Sequence, residues 1–179
     1  VAYAADGKYI ASGSYDTTVK LWDVTGKKLH TFTGHKDVIT GIAFSKDSKF
    51  LSSSSIDRTV KIWNSDKKEV KNLYFSEGIN SVALSPDGKQ LAIASGNTAT
   101  IIAVDSGAKL QTLTGHGGDV VKVIFSPDGK LLATASADQT IKIWNEGKEL
   151  QTLRGHSGAI ASVIFSPDGK QLASASADN

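Results

Sequence analysis

The chain of 179 residues contains no cysteine and no methionine, and only three prolines. Without cysteine there is neither a disulfide framework nor a thiolate metal site. The lack of cysteine fits a reducing compartment, and we expect a cytoplasmic protein. No apolar run approaches the ~20 residues that a membrane-spanning helix requires, so no membrane role is expected.

Arginine is also scarce, because only Arg58 and Arg154 of the 20 basic residues are arginine. The lysines are scattered along the chain, and the net charge is only +2. A nucleic-acid-binding surface is typically a clustered basic face rich in arginine. The composition therefore argues against a nucleic-acid partner.

The residues that are abundant favour an all-β fold. Hydrophobic residues make up 40% of the chain, which is enough for a core, and 17 glycines fit many short strands joined by tight turns. No segment has sustained apolar spacing of 3.6 residues, so essentially no helix is predicted.

An internal repeat organises the whole chain. Gly34-His35 and Gly115-His116 are 81 residues apart, and Gly155-His156 follows 40 residues later. The same period appears in two further series, namely Trp22, Trp63 and Trp144, and Asp16, Asp57, Asn97, Asp138 and Asp178. Three independent series indicate repeated units of about 41 residues.

Each unit predicts four short strands. In one unit these are 118–125, 131–136, 140–144 and 149–153, all rich in β-formers. The first two are joined by the turn Ser126-Pro127-Asp128-Gly129-Lys130. Proline presets the first dihedral of a turn, aspartate bonds to its own backbone, and glycine takes a positive φ.

Four antiparallel strands per 40 to 41 residues, with Gly-His and Trp-Asp or Trp-Asn signatures, resemble the blade of the WD-repeat β-propeller family. The resemblance, in particular to bacterial-type WD repeats, covers the whole chain. It implies an all-β propeller of four-stranded antiparallel blades, with about 4.5 blades in this chain. The expected blades are 1–33 (partial), 34–74, 75–114, 115–154 and 155–179 (partial).

Both ends of the sequence fall within a blade, so we expect a partial propeller. Propellers close with ~4–8 blades. The ring is then completed either by missing blades of the same chain or by another chain.

The resemblance also assigns roles to the polar markers. In this family a His, a second-strand Ser or Thr, the turn Asp and the third-strand Trp form a hydrogen-bonded tetrad within one blade. Carried over by position, the complete tetrads are His35, Ser53, Asp57 and Trp63, and His116, Thr134, Asp138 and Trp144. The partial sets are Ser12, Asp16 and Trp22, and His156, Ser174 and Asp178. Ser55 and Ser136 remain alternatives for the hydroxyl, because they lie on the same face two residues later.

The blade at 75–114 lacks all four markers and has Phe75, Ile93, Asn97 and Ala103 instead. A buried polar network is favourable only when every member is satisfied, so concerted replacement indicates a packing role. Tyr74 and Phe75 either fill the volume of the missing tryptophan, which we favour, or form an apolar spot at the rim.

No catalytic residue, metal site or cofactor is predicted. The histidines recur one per blade and point into separate sheets, whereas metal ligands must converge. The serine run at 52–55 reads as a strand with small residues, and no nucleophile elbow or phosphate loop is present.

By the same resemblance, partners bind on the face that carries the fourth-to-first and second-to-third strand loops. The residues expected there are Tyr15, Val38, Thr40, Ile56, Asn80, Asp119 and Val121. Tyr15 is either an anchor for a peptide side chain or a cap on its own turn. The sequence thus predicts a non-catalytic scaffold for proteins or peptides, alone or as a sensing or regulatory module of a larger protein. The alternative is a structural repeat that self-assembles into a closed ring with another chain.

Overall fold

The computed structural model describes residues 1–178, which form eighteen strands in five antiparallel sheets. Four sheets have four strands, and the fifth has two. Those residues include no helix, and therefore none long and apolar enough to cross a membrane. The prediction of an all-β fold with four-stranded blades is confirmed. The sheets follow one another along the chain and do not close a ring within the described residues.

The strands of each sheet are consecutive in the sequence. The first sheet contains β1 (Ala2–Tyr3), β2 (Tyr9–Gly13), β3 (Val19–Asp23) and β4 (Lys28–Phe32). The second contains β5 (Ile39–Phe44), β6 (Phe50–Ser55), β7 (Thr59–Asn64) and β8 (Glu69–Tyr74). The third contains β9 (Ile79–Leu84), β10 (Gln90–Ser95), β11 (Thr98–Ala103) and β12 (Lys109–Leu113). The fourth contains β13 (Val120–Phe125), β14 (Leu132–Ser136), β15 (Ile141–Asn145) and β16 (Lys148–Leu153), and the fifth contains β17 (Ile160–Phe165) and β18 (Leu172–Ser176).

The turn between the first two strands forms as its sequence dictates. After β13, the hydroxyl of Ser126 donates to Asp128 Oδ1 at 2.6 Å, and the same oxygen accepts the backbone N–H of Lys130 at 3.1 Å. Gly129 has a φ of 76°, which glycine adopts without strain. The turn therefore closes the hairpin with local hydrogen bonds.

The core lies between successive sheets, because each strand sends alternate residues to opposite neighbours. On β11, Ile102 packs with Val60 and Ile62 of the second sheet. Ile101, one residue earlier, packs with Val120 of the fourth sheet. The third sheet thus contributes apolar side chains to the core on both of its faces.

Hydrogen bonds also join neighbouring sheets at their first strands. The N–H of Ile39 donates to the carbonyl of Ser14 at 3.2 Å, and the N–H of Val120 donates to the carbonyl of Gly96 at 2.7 Å. In both cases the acceptor lies in the turn between the second and third strands of the preceding sheet. These bonds place that turn beside the next sheet.

The third sheet differs from its neighbours in the register of its third strand. Leu51 faces Trp63 in the second sheet, whereas the equivalent Leu91 faces Ile102 in the third. The cause is a turn of only two residues, Gly96 and Asn97, which brings Ser95 opposite Thr98. Gly96 supplies the positive φ, 52°, that so short a hairpin requires. The expectation that Ala103 replaces the tryptophan is wrong, because Ile102 occupies that position.

The connection after β11 restores the repeat. Trp63 faces Glu69, six residues later, whereas Ile102 faces Lys109, seven residues later. The added residue compensates for the shorter turn before β11. Leu73 and Leu113, which are 40 residues apart, therefore lie at equivalent positions of the outer strands, opposite Val60 and Ala99.

Candidate functional site

A buried polar network connects the loop before β5 to β6 and β7 in the second sheet. His35 Nδ1 lies 3.0 Å from Asp57 Oδ2, and His35 Nε2 lies 2.8 Å from Ser53 Oγ. The indole N–H of Trp63 donates to the same Ser53 Oγ at 3.0 Å. The Ser53 hydroxyl then donates to Nε2, which leaves the imidazole proton on Nδ1, directed at the carboxylate.

Asp57 is held by more donors than the imidazole. Its Oδ2 accepts the backbone N–H of Lys36 at 2.7 Å, and its Oδ1 accepts the hydroxyl of Thr59 at 2.6 Å. Burial favours the neutral acid, but the bonds from Thr59, Lys36 and His35 outweigh it and lower the pKa of Asp57 below its usual value. Asp57 is therefore ionised, and both of its carboxylate oxygens accept hydrogen bonds.

The fourth sheet repeats this arrangement. His116 Nδ1 lies 2.9 Å from Asp138 Oδ2 and Nε2 lies 2.7 Å from Thr134 Oγ1, which also accepts the indole N–H of Trp144 at 2.8 Å. The alternative hydroxyl, that of Ser136, donates to a backbone carbonyl at 2.9 Å. The same holds for Ser55 in the second sheet. The hydroxyl two residues earlier is therefore the one that contacts the imidazole.

The first and fifth sheets hold partial networks. His156 lies 2.7 Å from Asp178 and 2.9 Å from Ser174. In the first sheet Trp22 donates to Ser12 at 2.9 Å. Asp16 has no imidazole beside it, and its Oδ2 accepts the ammonium of Lys20 at 2.8 Å instead. Asp16 is half-exposed, so the turn aspartate of the first sheet forms an ion pair at the surface where the second, fourth and fifth sheets have a hydrogen bond to an imidazole.

Two further side chains accompany each complete network, a lysine of its third strand and a threonine two residues before it, and neither had a role assigned from the sequence. Lys61 is buried and its ammonium donates to Glu69 at 2.7 Å, while Lys142 donates to Glu149 at 2.8 Å. The Thr59 and Thr140 hydroxyls approach the imidazoles at 3.0 and 3.3 Å. Both units contain the spacing Thr-x-Lys-x-Trp, and residues two apart on a strand share a face. This spacing predicts that the threonine and the lysine lie on the same face as the tryptophan.

The third sheet replaces the network with apolar packing. Ile93 is fully buried and Ile102 is 4% exposed, and both belong to one cluster against which Phe75 packs. Tyr74 is 78% exposed. Phe75 therefore packs against this cluster and fills the vacated volume only in part, because a cleft stays open beside it, and the expected filling is wrong for Tyr74.

The residues expected to contact partners fall into two structural groups. Tyr15 is 87% exposed, Ile56 is 44% exposed, and Asp119 is exposed. The other four, half-buried, are Val38, Thr40, Asn80 and Val121. The hydroxyl of Thr40 donates to the carbonyl of Ile79 at 2.6 Å, and the amide of Asn80 donates to the carbonyl of Val120 at 3.0 Å.

Three of these half-buried residues share a backbone feature. Thr40, Asn80 and Val121 lie at the register shift near the start of a first strand. A β-bulge of this kind redirects one side chain out of the regular alternation. At positions 40 and 80 the redirected side chain bonds to the next sheet, so both residues are inter-sheet braces.

Both complete networks are closed by hydrogen bonds among their own members. The imidazoles of His35 and His116 use both ring nitrogens in hydrogen bonds. Over residues 1–178, no three His, Asp or Glu side chains converge in a way that could hold a metal ion. Each complete network braces its sheet from the loop edge to the third strand.

The buried imidazole makes stability depend on pH. Burial lowers the pKa of His35 below its usual value, more than neighbouring Asp57 raises it. The unfolded chain therefore takes up a proton at a pH where the folded chain does not, and the free energy of unfolding falls as the pH drops below about 6.5. Urea denaturation at about pH 7.5 and about pH 5 measures this loss. His35→Gln reduces the difference, whereas His30→Gln, outside the network, keeps it. Equal differences in wild type and His35→Gln would contradict the assignment.

Comparison with known proteins agrees with this geometry. The family model described as "WD domain, G-beta repeat" matches residues 1–23, 26–64, 67–102, 107–145 and 147–179. The chain is 29% identical over 153 residues to the Periodic tryptophan protein 2 homolog of Dictyostelium discoideum, covering 81% of this chain and 17% of that protein. It is 55% identical over 42 residues to Nuclear distribution protein PAC1-2 of Postia placenta, covering 23% and 10%.

A further relative is Dynein assembly factor with WD repeat domains 1 of Danio rerio, 46% identical over 44 residues, covering 24% of this chain and 11% of that protein. The chain spans 17% or less of the length of each of these three relatives. Five matches of the family model cover nearly all of the sequence, and each of the last four begins with the outer strand of one sheet and continues into the next sheet. The chain belongs to the WD40-repeat family.

Proposed function

We propose that this chain is a non-catalytic scaffold that binds a protein or peptide across its loop face. The loop face consists of the connections 34–38, 75–78 and 115–119 together with the turns 14–18, 56–58, 96–97 and 137–139. The observation that carries the proposal is the exposure of Tyr15 and Ile56 at two neighbouring turns of this face. Large exposed apolar side chains beside polar loops are typical of binding anchors.

The loop face is continuous from sheet to sheet. The N–H of Ile56 donates to the carbonyl of Val38 at 3.1 Å within the second sheet, and Gly78 of the third sheet lies against Ile56. In the fourth sheet, the N–H of Ala137 donates to the carbonyl of Asp119 at 2.8 Å. Beneath this surface, Thr40 and Asn80 tie the first strands together. The backbone under the anchors is therefore fixed before a partner arrives, which limits the entropy lost on binding.

The relatives support a role in assemblies. One is named as a dynein assembly factor and another as a U3 small nucleolar RNA-interacting protein. For this chain we propose a protein or peptide partner, because its two arginines and scattered lysines offer no clustered basic face. The absence of cysteine supports a cytoplasmic location as part of the same proposal.

Site-specific photo-crosslinking tests the loop face. p-Benzoylphenylalanine replaces Tyr15, Ile56 or Asp119 in separate variants, and Asp66, exposed in the turn after β7 at the opposite edge, is the matched control. We expect the three loop-face variants to crosslink to the same partner, and we expect the variant at Asp66 not to crosslink to it. The double variant Tyr15→Ala with Ile56→Ala lowers the yield at position 119 about tenfold, which corresponds to ~1.4 kcal/mol. Equal adducts at position 66 would contradict the proposal.

The same experiment separates the scaffold from self-assembly. Adducts that contain only a second copy of this chain would favour a structural repeat that assembles with itself. Within residues 1–178, β18 has a free edge and Ile164 on the fifth sheet is 65% exposed. Exposed edges and apolar faces are normally covered in propellers. We propose that further blades, of the same chain or of another, complete the ring at this sheet.

A further inference from the structure

A cleft of about 550 Å³ lies between the second and third sheets. It is lined by the face of β11 that carries Thr98, Thr100 and Ile102, by β12, and by residues 73–77. In the second sheet the equivalent face carries Thr59, Lys61 and Trp63, which belong to the buried network. The cleft is thus located where the third sheet lacks that network.

Strand register shows which residues replace the network. Thr100 faces Ile93 as Lys142 faces Thr134 in the fourth sheet. Thr112 of β12 faces Thr100 as Thr152 faces Lys142.

The glutamate of the outer strand is replaced by a lysine. Lys109 faces Ile102 as Glu149 faces Trp144. The third sheet therefore keeps the outer hydroxyl, replaces the buried lysine with a threonine, and carries an ammonium where its neighbours carry a carboxylate.

The fourth sheet shows how this set of positions holds an acid. Glu149 accepts the ammonium of Lys142 at 2.8 Å and the hydroxyl of Thr152 at 2.5 Å. One ammonium of the third strand and one hydroxyl of the outer strand thus bind the two carboxylate oxygens. The third sheet offers the same two kinds of donor, from Lys109 and Thr112, on the wall of an open cleft.

Lys109 has no carboxylate partner within residues 1–178. The lysines in ion pairs among those residues are Lys20, Lys49, Lys61, Lys130 and Lys142. One carboxylate of the chain, that of Glu77, also lines the cleft. It lies against Gly96 at the loop edge and does not pair with Lys109. The cleft therefore presents an unmatched positive charge at its outer end.

We propose that this cleft binds an acidic side chain, glutamate or aspartate, in a peptide segment of a partner protein. The carboxylate sits between Lys109 and Thr112, where the fourth sheet places the ammonium of Lys142 between Glu149 and Thr152. Opposite charges across an interface favour specificity and fast association. Tyr74, 78% exposed at the mouth of the cleft, offers an aromatic surface for the adjoining peptide backbone. The cleft opens at the loop face, where residues 75–77 and Asn97 line it, but it uses none of Tyr15, Ile56 and Asp119, so its contacts are distinct from those anchors.

Selection from a peptide library tests the proposal. The probe is a phage-displayed library of fully randomised nine-residue peptides, selected on the immobilised full chain. Wild type is expected to enrich Asp and Glu about tenfold at one peptide position. Lys109→Gln abolishes that enrichment, and Lys109→Glu replaces it with enrichment of Lys and Arg. Thr112→Val reduces it about threefold, as expected for one lost hydrogen bond.

Two controls make the outcome specific. Lys148→Glu reverses the charge of an exposed lysine at the start of the outer strand of the fourth sheet and keeps the acidic preference. Tyr15→Ala with Ile56→Ala also keeps it, which separates this site from the anchors at Tyr15 and Ile56. The proposal is overturned if acidic residues are not enriched, if Lys109→Glu selects the same peptides as wild type, or if Lys148→Glu abolishes the preference equally.

Discussion

Trp63→Ala lowers the free energy of unfolding by about 4 kcal/mol, the range expected for removing a buried indole. Trp63 is 4% exposed, and its ring centroid lies 4.9 Å from that of Phe32 in the first sheet. The alanine variant loses that inter-sheet contact and leaves a cavity. It also removes the donor to Ser53 Oγ, so the hydroxyl at the centre of the network is left with the imidazole alone. Urea denaturation followed by far-UV circular dichroism measures the loss.

Trp22→Ala is the matched control, because Trp22 makes the same hydrogen bond to Ser12 at 2.9 Å but is only half-buried. The network at Trp22 lacks an imidazole, and Asp16 pairs with Lys20 at the surface instead. We expect a clearly smaller loss for Trp22→Ala than for Trp63→Ala. Equal losses in the two variants would show that burial and the complete network contribute nothing beyond the indole itself.

Ile93→Ser lowers the free energy of unfolding by about 4 kcal/mol, although serine is the residue that the second sheet carries at the equivalent position. Ile93 is fully buried between apolar neighbours, and Phe75 and Ile102 stand where the second sheet has an imidazole and an indole. The new hydroxyl lacks the histidine and tryptophan that satisfy Ser53. Both the lost apolar contacts and the unpaired hydroxyl destabilise the fold.

Leu150→Ser makes a similar change, from a branched aliphatic side chain to serine, at a position that is 59% exposed on the outer strand of the fourth sheet. Its effect on the free energy of unfolding is expected within about 0.5 kcal/mol, as for most surface substitutions. Thermal denaturation of the two variants side by side provides an independent comparison. If Ile93→Ser proves as stable as wild type, the hydroxyl has found a partner and the apolar replacement of the network is not required.

Much of this fold can be predicted from the sequence, because its turns are chemically explicit. The Ser-Pro-Asp-Gly-Lys segments and the Gly-His period place the strands, and the strand predicted at 131–136 is found as Leu132–Ser136. The pairing register of the third strand in the third sheet was harder to predict from the sequence. Six residues separate Asp57 from Trp63, and six separate Asn97 from Ala103, so spacing alone puts Ala103 at the tryptophan position. Only the turn at Gly96 and Asn97 reveals that Ile102 is there.

The candidate site was predictable in its central residues and not in its surroundings. Histidine and tryptophan are rare in this chain and recur with the period, and the family resemblance groups them with an aspartate and a second-strand hydroxyl, for which Ser55 and Ser136 remained alternatives. Lys61 and Lys142 escaped notice because a lysine on a strand normally faces solvent, and only the structure shows the glutamates that permit burial. Thr40 and Asn80 lie at bulges, where the alternation of inward and outward side chains fails.

The turn before β11 is one residue shorter than its counterpart in the second sheet, and the connection after β11 is one residue longer. The two changes in length therefore cancel. Between them, residues 98–102 are displaced by one position relative to the other units, so the residues that face the preceding sheet are different ones. Outside these residues the positions of the strands in the repeat are unchanged, and the first strand of the fourth sheet begins at Val120. A single unit of a tandem array can thus exchange an entire face of one strand in two small steps. Its neighbours need no change, which gives duplicated units a short route to individual surfaces.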